Sequence, residues 1–215
     1  MSETILYGYW RSSAAYRVRI ALNLKGIEYQ HRSVHLVKNG GEQHAEHFKS
    51  INPNELVPVL VDGDVQLNQS LAIIDYLDEY YPEVEITPTD VKIRYLVKSL
   101  AQDIAIDVHP INNLRVMQYL TKNFDTDENQ KLDWTQHWMT VGFTALEKKL
   151  VAVSGRYCVG DTITLVDVCL IPQIYNAKRF GLDLASYPTI GRIVDSLEHH
   201  PAFIAAAPEN QPDAE

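Results

Sequence analysis

Strand-forming patterns stop near residue 82 of this 215-residue chain, and that change constrains its fold more than any other feature. Before residue 82, short runs of β-branched and aromatic residues alternate with amphipathic helical patterns. Beyond it, only long helical patterns remain. We therefore expect an α/β domain over residues 1–82 and an all-helical domain over residues 88–215, with a linker over residues 83–88.

The pattern of residues 1–82 predicts a small sheet with two main helices. The strands are predicted over residues 4–9, 28–34, 59–61 and 65–68, and the helices over residues 14–25 and 70–81. Gly26 and Pro82 end the two helices, since glycine favours the left-handed backbone and proline cannot continue a helix. The Asp-Gly-Asp run at 62–64 predicts a hairpin turn. The order β-α-β followed by β-β-α is typical of a thioredoxin-like sheet.

Helical patterns follow over residues 89–120, 128–153, 164–178 and 188–199. Pro110 is expected to kink or end the first helix, because proline lacks the N–H of a helical hydrogen bond. Thr164 and Asp167 predict a capping box at the start of the third helix, whose nearly continuous apolar surface indicates burial. The polar residues 208–215 include Pro208 and Pro212 and are expected to be frayed.

Composition excludes several kinds of partner. A formal net charge of -9, without a lysine-rich run, argues against nucleic acid. No apolar stretch approaches the roughly 20 residues of a membrane span, and residues 1–4 lack the basic and apolar parts of a secretion signal. Cys158 and Cys169 are too few for a disulfide framework. We therefore expect a cytoplasmic protein with reduced thiols.

Two pairs of histidines invite comparison with a metal site, namely His44 with His47 and His199 with His200. Zinc sites in proteins use three or four side-chain ligands at characteristic spacings. Neither pair has a third ligand at such a spacing, so we expect a solvated face at both and no metal.

Two serines follow the first strand at the point where the first helix begins, and Arg11 precedes them. A helix N-terminus presents unpaired N–H groups and a partial positive charge, so it favours an anion. The hydroxyls of Ser12 and Ser13 suit a thiolate better than a phosphate there, because no glycine-rich loop is present to wrap phosphate oxygens. The alternative is that either serine merely caps the helix.

Two further dipeptides fit a peptide ligand with a free carboxylate. Pro58 stands just before the third strand, and a cis bond from Val57 would turn the polar backbone groups of Val57 outward to pair with an extended peptide. Gln69 and Ser70 open a helix and could bind an α-carboxylate, although they also make an ordinary helix cap. With a thiol near Ser12, these groups outline glutathione.

From residue 12 the sequence reads SSAAYRVRIAL, close to the SSCxWRVRIAL of one enzyme family. Further matches lie at residues 25–27, 52–53, 57–58, 69–74, 157–161, 176–180 and 211–213. On these residues the chain resembles the glutathione transferases, most closely their zeta class, over essentially its whole length. The resemblance implies a thioredoxin-like domain that binds glutathione, an all-helical domain that binds a small dicarboxylate substrate, and a homodimer.

The resemblance also implies roles for single residues. Ser12 would hydrogen-bond the glutathione sulfur, with Ser13 beside it. The other implied glutathione contacts are Gln43 and Val57, with Pro58, to the glycyl and cysteinyl parts, Gln69 and Ser70 to the γ-glutamyl part, and His109 and Asn113 from the helical domain. Of these, His109 replaces a glutamine of some relatives.

The activity implied is the glutathione-dependent isomerisation of maleylacetoacetate to fumarylacetoacetate, a step of tyrosine and phenylalanine catabolism. Addition of the glutathione thiolate makes the cis double bond a rotatable single bond, and elimination then gives the trans isomer. The carboxylates of the substrate and the enolate need positive charge, for which Arg11, Arg179 and Arg115 are candidates in that order. The alternative is that these arginines form surface ion pairs.

Ala14 stands where the family has a cysteine, and Tyr16 where it has a tryptophan. A protein that needed that cysteine as its nucleophile would be inactive, but bound glutathione brings its own sulfur. Two other activities remain open on the same site: isomerisation of maleylpyruvate, and glutathione transfer to small α-halo acids. A non-catalytic, glutathione-binding regulatory protein is the alternative from another class.

Overall fold

The computed structural model describes residues 4–215, which form two compact units. Residues 1–3, which belong to the segment predicted to lack a secretion signal, lie outside that range. The first unit comprises Met1–Glu85 together with His199–Glu215, and the second comprises Ile86–Glu198. The sequence pattern assigns residues 199–215 to the helical domain, whereas the structure groups them with the α/β unit.

The first unit is built around a four-stranded sheet. Its strands are β1 (Thr4–Gly8), β2 (Gln30–Ser33), β3 (Val59–Asp62) and β4 (Val65–Asn68), and its helices are α1 (Ser13–Leu24), α2 (Glu46–Ile51), α3 (Ser70–Tyr80) and α9 (Pro201–Ala206). The strand order is β2-β1-β3-β4, with β1 parallel to β2 and the other pairs antiparallel. This arrangement confirms the predicted thioredoxin-like α/β fold.

Helix α1 begins directly after β1 and packs against α3 and α9. The apolar faces predicted for α1 and α3 are fully buried, at Val18, Ala21, Leu22, Ile73, Ile74 and Leu77. Gly26 follows α1 with a φ of +65°, which is the left-handed backbone that glycine adopts without a steric penalty. The buried face of α1 therefore fixes the position of residues 9–12, which connect this helix to the sheet.

The second unit is helical. Its α-helices are α4 (Val91–Gln102), α5 (Leu114–Phe124), α6 (Glu128–Val153), α7 (Leu165–Arg179) and α8 (Pro188–Leu197). The helix predicted over residues 89–120 is divided, because a π-helical turn at Asp103–Val108 and a 3-10 turn at Pro110–Asn112 separate α4 from α5. Pro110 accounts for the break, since it cannot donate a helical hydrogen bond. The other helical patterns agree closely with α6, α7 and α8.

Thr164 and Asp167 form the predicted reciprocal cap at the start of α7. The Asp167 carboxylate accepts hydrogen bonds from the Thr164 N–H (2.8 Å), the Thr164 hydroxyl (2.9 Å) and the Cys158 N–H (2.9 Å). Burial raises the pKa of Asp167, and these donors oppose the rise. The helix that follows is buried on nearly all sides, as its composition predicts.

Residues 208–215 pack against the rest of the first unit, so the prediction that they fray is wrong. Pro208–Asn210 form a 3-10 turn, and the Gln211 side chain donates to two backbone carbonyls at the end of α9 (2.9 Å each). The Ser33 hydroxyl donates to the Asp213 carboxylate at 2.8 Å. The Ser33–Asp213 bond joins residues 180 positions apart, so the local polarity of the segment does not predict it.

Within residues 4–215, no helix is both long and apolar enough to cross a membrane. The same residues contain no group of three or more histidine, cysteine, aspartate or glutamate side chains arranged to hold a metal ion. Both cysteines, Cys158 and Cys169, are buried.

Candidate functional site

Residues 9–12, here called the serine turn, connect β1 to α1 and end at Ser12, the N-cap of α1. The Ala15 N–H donates to Ser12 Oγ at 3.2 Å, so the cap considered as the alternative role is present. A hydroxyl accepts through its lone pairs and donates through its hydrogen. Capping therefore leaves the Ser12 O–H able to donate to an anion in front of the helix. Ser13, the first residue of α1, is only 5% exposed.

A buried arginine on α1 holds the serine turn from the inside. Arg19 donates to the carbonyl oxygens of Trp10 (3.0 Å), Tyr9 (3.4 Å) and Ala206 (2.9 Å). Burial lowers the pKa of Arg19 to about 10, so the guanidinium stays charged at pH 7. The sequence alone indicates no role for Arg19, whose only signal is a charged residue in the middle of an apolar helix.

Arg11 lies over the aromatic rings of the serine turn. Its guanidinium carbon is 4.6 Å from the Trp10 ring centroid, and its Nη2 donates to the Tyr9 hydroxyl at 3.2 Å. Within the described part of the chain these rings, and not a carboxylate, orient Arg11. A guanidinium stacked on a ring keeps its in-plane N–H groups for bidentate bonds to a carboxylate.

The Val57–Pro58 peptide bond is cis, the isomer that the sequence leaves open. Pro58 is buried immediately before β3. Val57 is half-buried and packs on a cluster formed by Val34, Phe48 and Val59. The residue predicted to pair with an extended peptide thus lies at the start of β3, in the same unit as the serine turn.

Gln69 and Ser70 stand at the start of α3, as predicted. Gln69 is exposed and has a φ of +69°, a left-handed conformation that is uncommon for residues other than glycine. The buried Ser70 Oγ accepts a hydrogen bond from Arg17 Nη1 at 3.3 Å. Arg17, which is 2% exposed, therefore places a positive charge behind the N-terminus of α3. The sequence alone does not single out Arg17.

Gln43 is buried, and its two amide atoms have different surroundings. Its Nε2 lies 3.0 Å from His44 Nε2 and 3.5 Å from the Leu36 carbonyl, and His44 Nδ1 lies 2.5 Å from a Glu55 oxygen. Its Oε1 is buried without a hydrogen-bond partner among residues 4–215. A buried, unpaired acceptor is costly, so this oxygen suits a ligand that offers an N–H.

The remaining predicted site residues belong to the second unit. His109 follows the π-helical turn, and Asn113 is the N-cap of α5, where its side chain accepts from the Arg115 N–H at 3.2 Å. Arg179 is the last residue of α7, and its guanidinium lies 5.0 Å from the Phe180 ring centroid. The structure thus brings Asn113 and Arg115 together at one helix end, whereas Arg179 lies on another helix.

The polar groups of the first unit fit glutathione. The start of α1 offers the Ser12 hydroxyl to a thiolate, and the start of α3 offers backbone N–H groups to a carboxylate with Arg17 behind them. The Gln43 oxygen offers an acceptor to an amide N–H of the peptide. Each feature matches one chemical group of the tripeptide.

Comparisons with known proteins identify the family of the chain. The family model described as the glutathione S-transferase N-terminal domain matches residues 6–85, and that of the C-terminal domain matches residues 112–206. A probable maleylacetoacetate isomerase from Vibrio cholerae is 58% identical over 214 residues, which span 100% of both chains.

Solved structures resemble the whole chain. The holo structure of a maleylpyruvate isomerase, described as a bacterial zeta-class glutathione S-transferase, superposes with a TM-score of 0.94 at 44% identity and covers 98% of this chain and 100% of its own. A maleylacetoacetate isomerase from Anaeromyxobacter dehalogenans, with dicarboxyethyl glutathione and citrate in its active site, has a TM-score of 0.87 at 38% identity. That match covers 99% of this chain and 94% of the other.

Proposed function

This chain belongs to the glutathione S-transferase family, and from that premise we propose that it isomerises maleylacetoacetate to fumarylacetoacetate with glutathione as its cofactor. The observation that carries the proposal is the 58% identity, over the full length of both chains, to a probable maleylacetoacetate isomerase. The serine turn supports it, because Ser12 supplies a hydrogen-bond donor and Arg11 a positive charge.

When bound, glutathione supplies a thiolate that adds reversibly to the cis double bond of the substrate, which allows rotation before the double bond re-forms. The protein's part is to increase the fraction of thiolate, since a thiol with a pKa near 8.5 is only about 3% ionised at pH 7. The N-terminus of α1 and the Ser12 O–H both favour the anion and so lower the pKa of the thiol.

Several groups of the first unit would hold the rest of the tripeptide. We assign the γ-glutamyl carboxylate to the start of α3, which is formed by Gln69 and Ser70 with the buried Arg17 behind them. Gln43 accepts an N–H through Oε1, and the backbone of Val57 pairs with the cysteinyl part. These contacts orient the cofactor and do not take part in bond changes.

Arginines are the candidates to bind the negatively charged groups of the substrate. Arg11 binds a carboxylate and stabilises the negative charge that develops on the ketone oxygen during isomerisation. Arg115 and Arg179, both exposed in the second unit, are the candidates for the other carboxylate. His109 and Asn113 are assigned to the glutathione side of the site.

A cytoplasmic homodimer is part of the same proposal. Helix α4 exposes large apolar side chains at Val91 (63%) and Tyr95 (66%), which lie one turn apart on the same helix face, and exposed apolar surface of this kind is typical of an interface. Light scattering on the purified protein measures the oligomeric state, and a monomer at micromolar concentration would contradict the dimer. The buried thiols of Cys158 and Cys169 suit a reducing compartment.

The decisive experiment is glutathione-dependent conversion of maleylacetoacetate by the wild type and two variants. Ser12→Ala removes the donor to the thiolate and should lower kcat by about 100-fold, the usual effect of losing one such donor. Arg11→Ala should lower kcat/KM by about 10-fold or more, because a charge-assisted hydrogen bond is lost. The exposed Ser50→Ala and Arg32→Ala are matched controls and should change neither value.

The outcomes separate the possible functions. No turnover by a folded wild type that binds glutathione in a calorimeter would contradict the isomerase and favour a regulatory, glutathione-binding role. Loss of activity in the control variants to the same extent would show that Ser12 and Arg11 have no special part.

Maleylpyruvate is the second candidate substrate, favoured by the TM-score of 0.94 to a maleylpyruvate isomerase. Both compounds carry a cis double bond conjugated to a ketone, so the same groups serve either reaction. Measuring kcat/KM for both with one preparation decides between them, and a value for maleylpyruvate more than about 10-fold higher would reassign the substrate.

A further inference from the structure

The Asp213 carboxylate connects residues 208–215 to the serine turn. Its Oδ2 accepts from the Trp10 N–H at 3.2 Å and from the Ser33 hydroxyl at 2.8 Å, and its Oδ1 lies 3.0 Å from His31 Nε2. The side chain is 11% exposed. A carboxylate this far from solvent needs such partners, and one of them is a backbone group of the serine turn.

Trp10 is therefore held by opposite charges at its two backbone groups. The Arg19 guanidinium donates to the Trp10 carbonyl at 3.0 Å, while the Trp10 N–H donates to Asp213. Hydrogen bonds with one ionised partner are roughly twice as strong as those between neutral groups. Both bonds act on the residue immediately before Arg11.

Everything assigned to catalysis in the serine turn depends on where Trp10 lies. Arg11 stacks on the Trp10 ring, with its guanidinium carbon 4.6 Å from the ring centroid. The Ser12 N–H donates to the Tyr9 carbonyl at 2.9 Å, which closes the turn around Trp10. A shift of the Trp10 backbone would thus move the Arg11 guanidinium and the Ser12 hydroxyl together.

We propose that Asp213 is a positioning residue of the active site, which holds the Trp10 N–H and so fixes the serine turn that aims Ser12 and Arg11. This inference rests on the proposed function of that turn. Asp213 is assigned no contact with the cofactor or the substrate. Its effect on the reaction passes through the backbone of Trp10.

The competing explanation is that Asp213 only fastens residues 208–215 to the sheet. The chain offers variants that separate the two. Asp213→Ala removes the acceptor of the Trp10 N–H and the fastening bonds together. Ser33→Ala removes one fastening bond and leaves the Trp10 N–H its acceptor. Glu215→Gln alters the exposed ion pair of the same segment with Lys38.

Three measurements follow from this design: amide hydrogen exchange at Trp10 without ligand, the dissociation constant of glutathione by calorimetry, and kcat with KM. Asp213→Ala should speed exchange at Trp10 by about 10-fold. It should also lower kcat by about 10-fold, because small misplacements of reacting groups have large effects on rate. The dissociation constant of glutathione and the KM for the diacid should rise as well, because the displaced Ser12 and Arg11 are the groups assigned to bind them. Ser33→Ala and Glu215→Gln should stay within about twofold of the wild type in all three.

Asp213→Asn keeps a neutral acceptor and should give values between the wild type and Asp213→Ala; it also serves if the alanine variant does not fold. Wild-type exchange and kcat in a folded Asp213→Ala would overturn the inference. Equal losses in Asp213→Ala and Ser33→Ala would overturn it as well, in favour of fastening alone. A wild type that isomerises neither diacid would instead defeat the proposed function, while exchange at Trp10 and glutathione affinity still report on Asp213.

Discussion

Gly41 gives the buried Gln43 side chain the space that it occupies. A Cβ at position 41 would lie 2.5 Å from Gln43 Nε2, and Gly41 has a φ of +102°. Gly40, its neighbour, also has a positive φ, of +81°, but a Cβ there would meet nothing within 4 Å. The two glycines therefore share a backbone constraint, and only Gly41 has a contact with the candidate site.

This difference makes a matched pair of variants. Gly41→Ala should displace the Gln43 amide and weaken glutathione binding by about 10-fold, which corresponds to about 1.4 kcal/mol. Gly40→Ala should lower stability without changing the affinity by more than about twofold, since it meets the same backbone strain without the clash. Calorimetric titration with glutathione measures both. Equal weakening in the two variants would mean that backbone strain, and not Gln43, controls binding.

Among the elements, helices with a strong period and clear ends could be predicted from sequence alone. Helix α6 spans Glu128–Val153, as its pattern indicates, because Asp127 caps its first turn. Helix α7 begins at the expected capping box. The break between α4 and α5 could be expected from Pro110, but its form could not. The π-helical turn at Asp103–Val108 depends on packing that no local pattern encodes.

The cap of α7 carries a prediction about stability. Asp167→Ala leaves three buried donors without their acceptor, two on Thr164 and one on Cys158. The free energy of unfolding should fall by about 3 kcal/mol, because each unpaired buried group carries a desolvation penalty. Asp183→Ala is the control, since the exposed Asp183 carboxylate accepts a hydrogen bond from the Ala185 N–H and its loss should have an effect below about 1 kcal/mol. Urea titration compares them, and similar losses would contradict the role of the buried network.

At the scale of the whole chain, the contacts of residues 199–215 could not be predicted from the sequence. The Trp10 N–H and the Asp213 carboxylate are separated by 203 positions in sequence, and propensity and periodicity report only on near neighbours. The same limit applies to the candidate site. Ser12, Gln69 and Ser70 stand at helix starts that the sequence reveals, whereas the buried Arg17 behind Ser70 depends on how α1 packs against α3.

Residues 199–215 help to bury His31, which lies 3.0 Å from Asp213, so the stability of the folded protein should depend on pH through this histidine. Burial lowers the pKa of His31 in the folded protein, against a value of about 6.5 in an unfolded chain. Asp213 opposes that shift and Arg19 adds to it. Below about pH 6.5 His31 thus binds a proton more readily in the unfolded state than in the folded state. The stability that the neutral His31 contributes is therefore present above about pH 6.5 and is lost as the pH falls through its lowered pKa.

Replacing this histidine tests the linkage. His31→Gln should flatten the decline in the free energy of unfolding between about pH 7.5 and pH 5.5, relative to the wild type. The exposed His47→Gln serves as control and should leave the decline unchanged. Urea titrations at several pH values measure the slopes, and a wild-type slope in His31→Gln would show that another group is responsible.

The return of residues 199–215 to the first unit also has a consequence for synthesis on the ribosome. Helix α9, which packs on α1 and carries the Ala206 carbonyl that accepts from Arg19, is synthesised more than 100 residues after Glu85. At typical translation rates that gap lasts about 6 to 23 s. During this interval α1 of the nascent α/β unit lacks its apolar contact with α9. The Trp10 N–H of the serine turn also lacks its acceptor, the Asp213 carboxylate. Maturation of the α/β unit therefore waits for the helical unit to be translated, and chaperones have that time to engage the open face of α1.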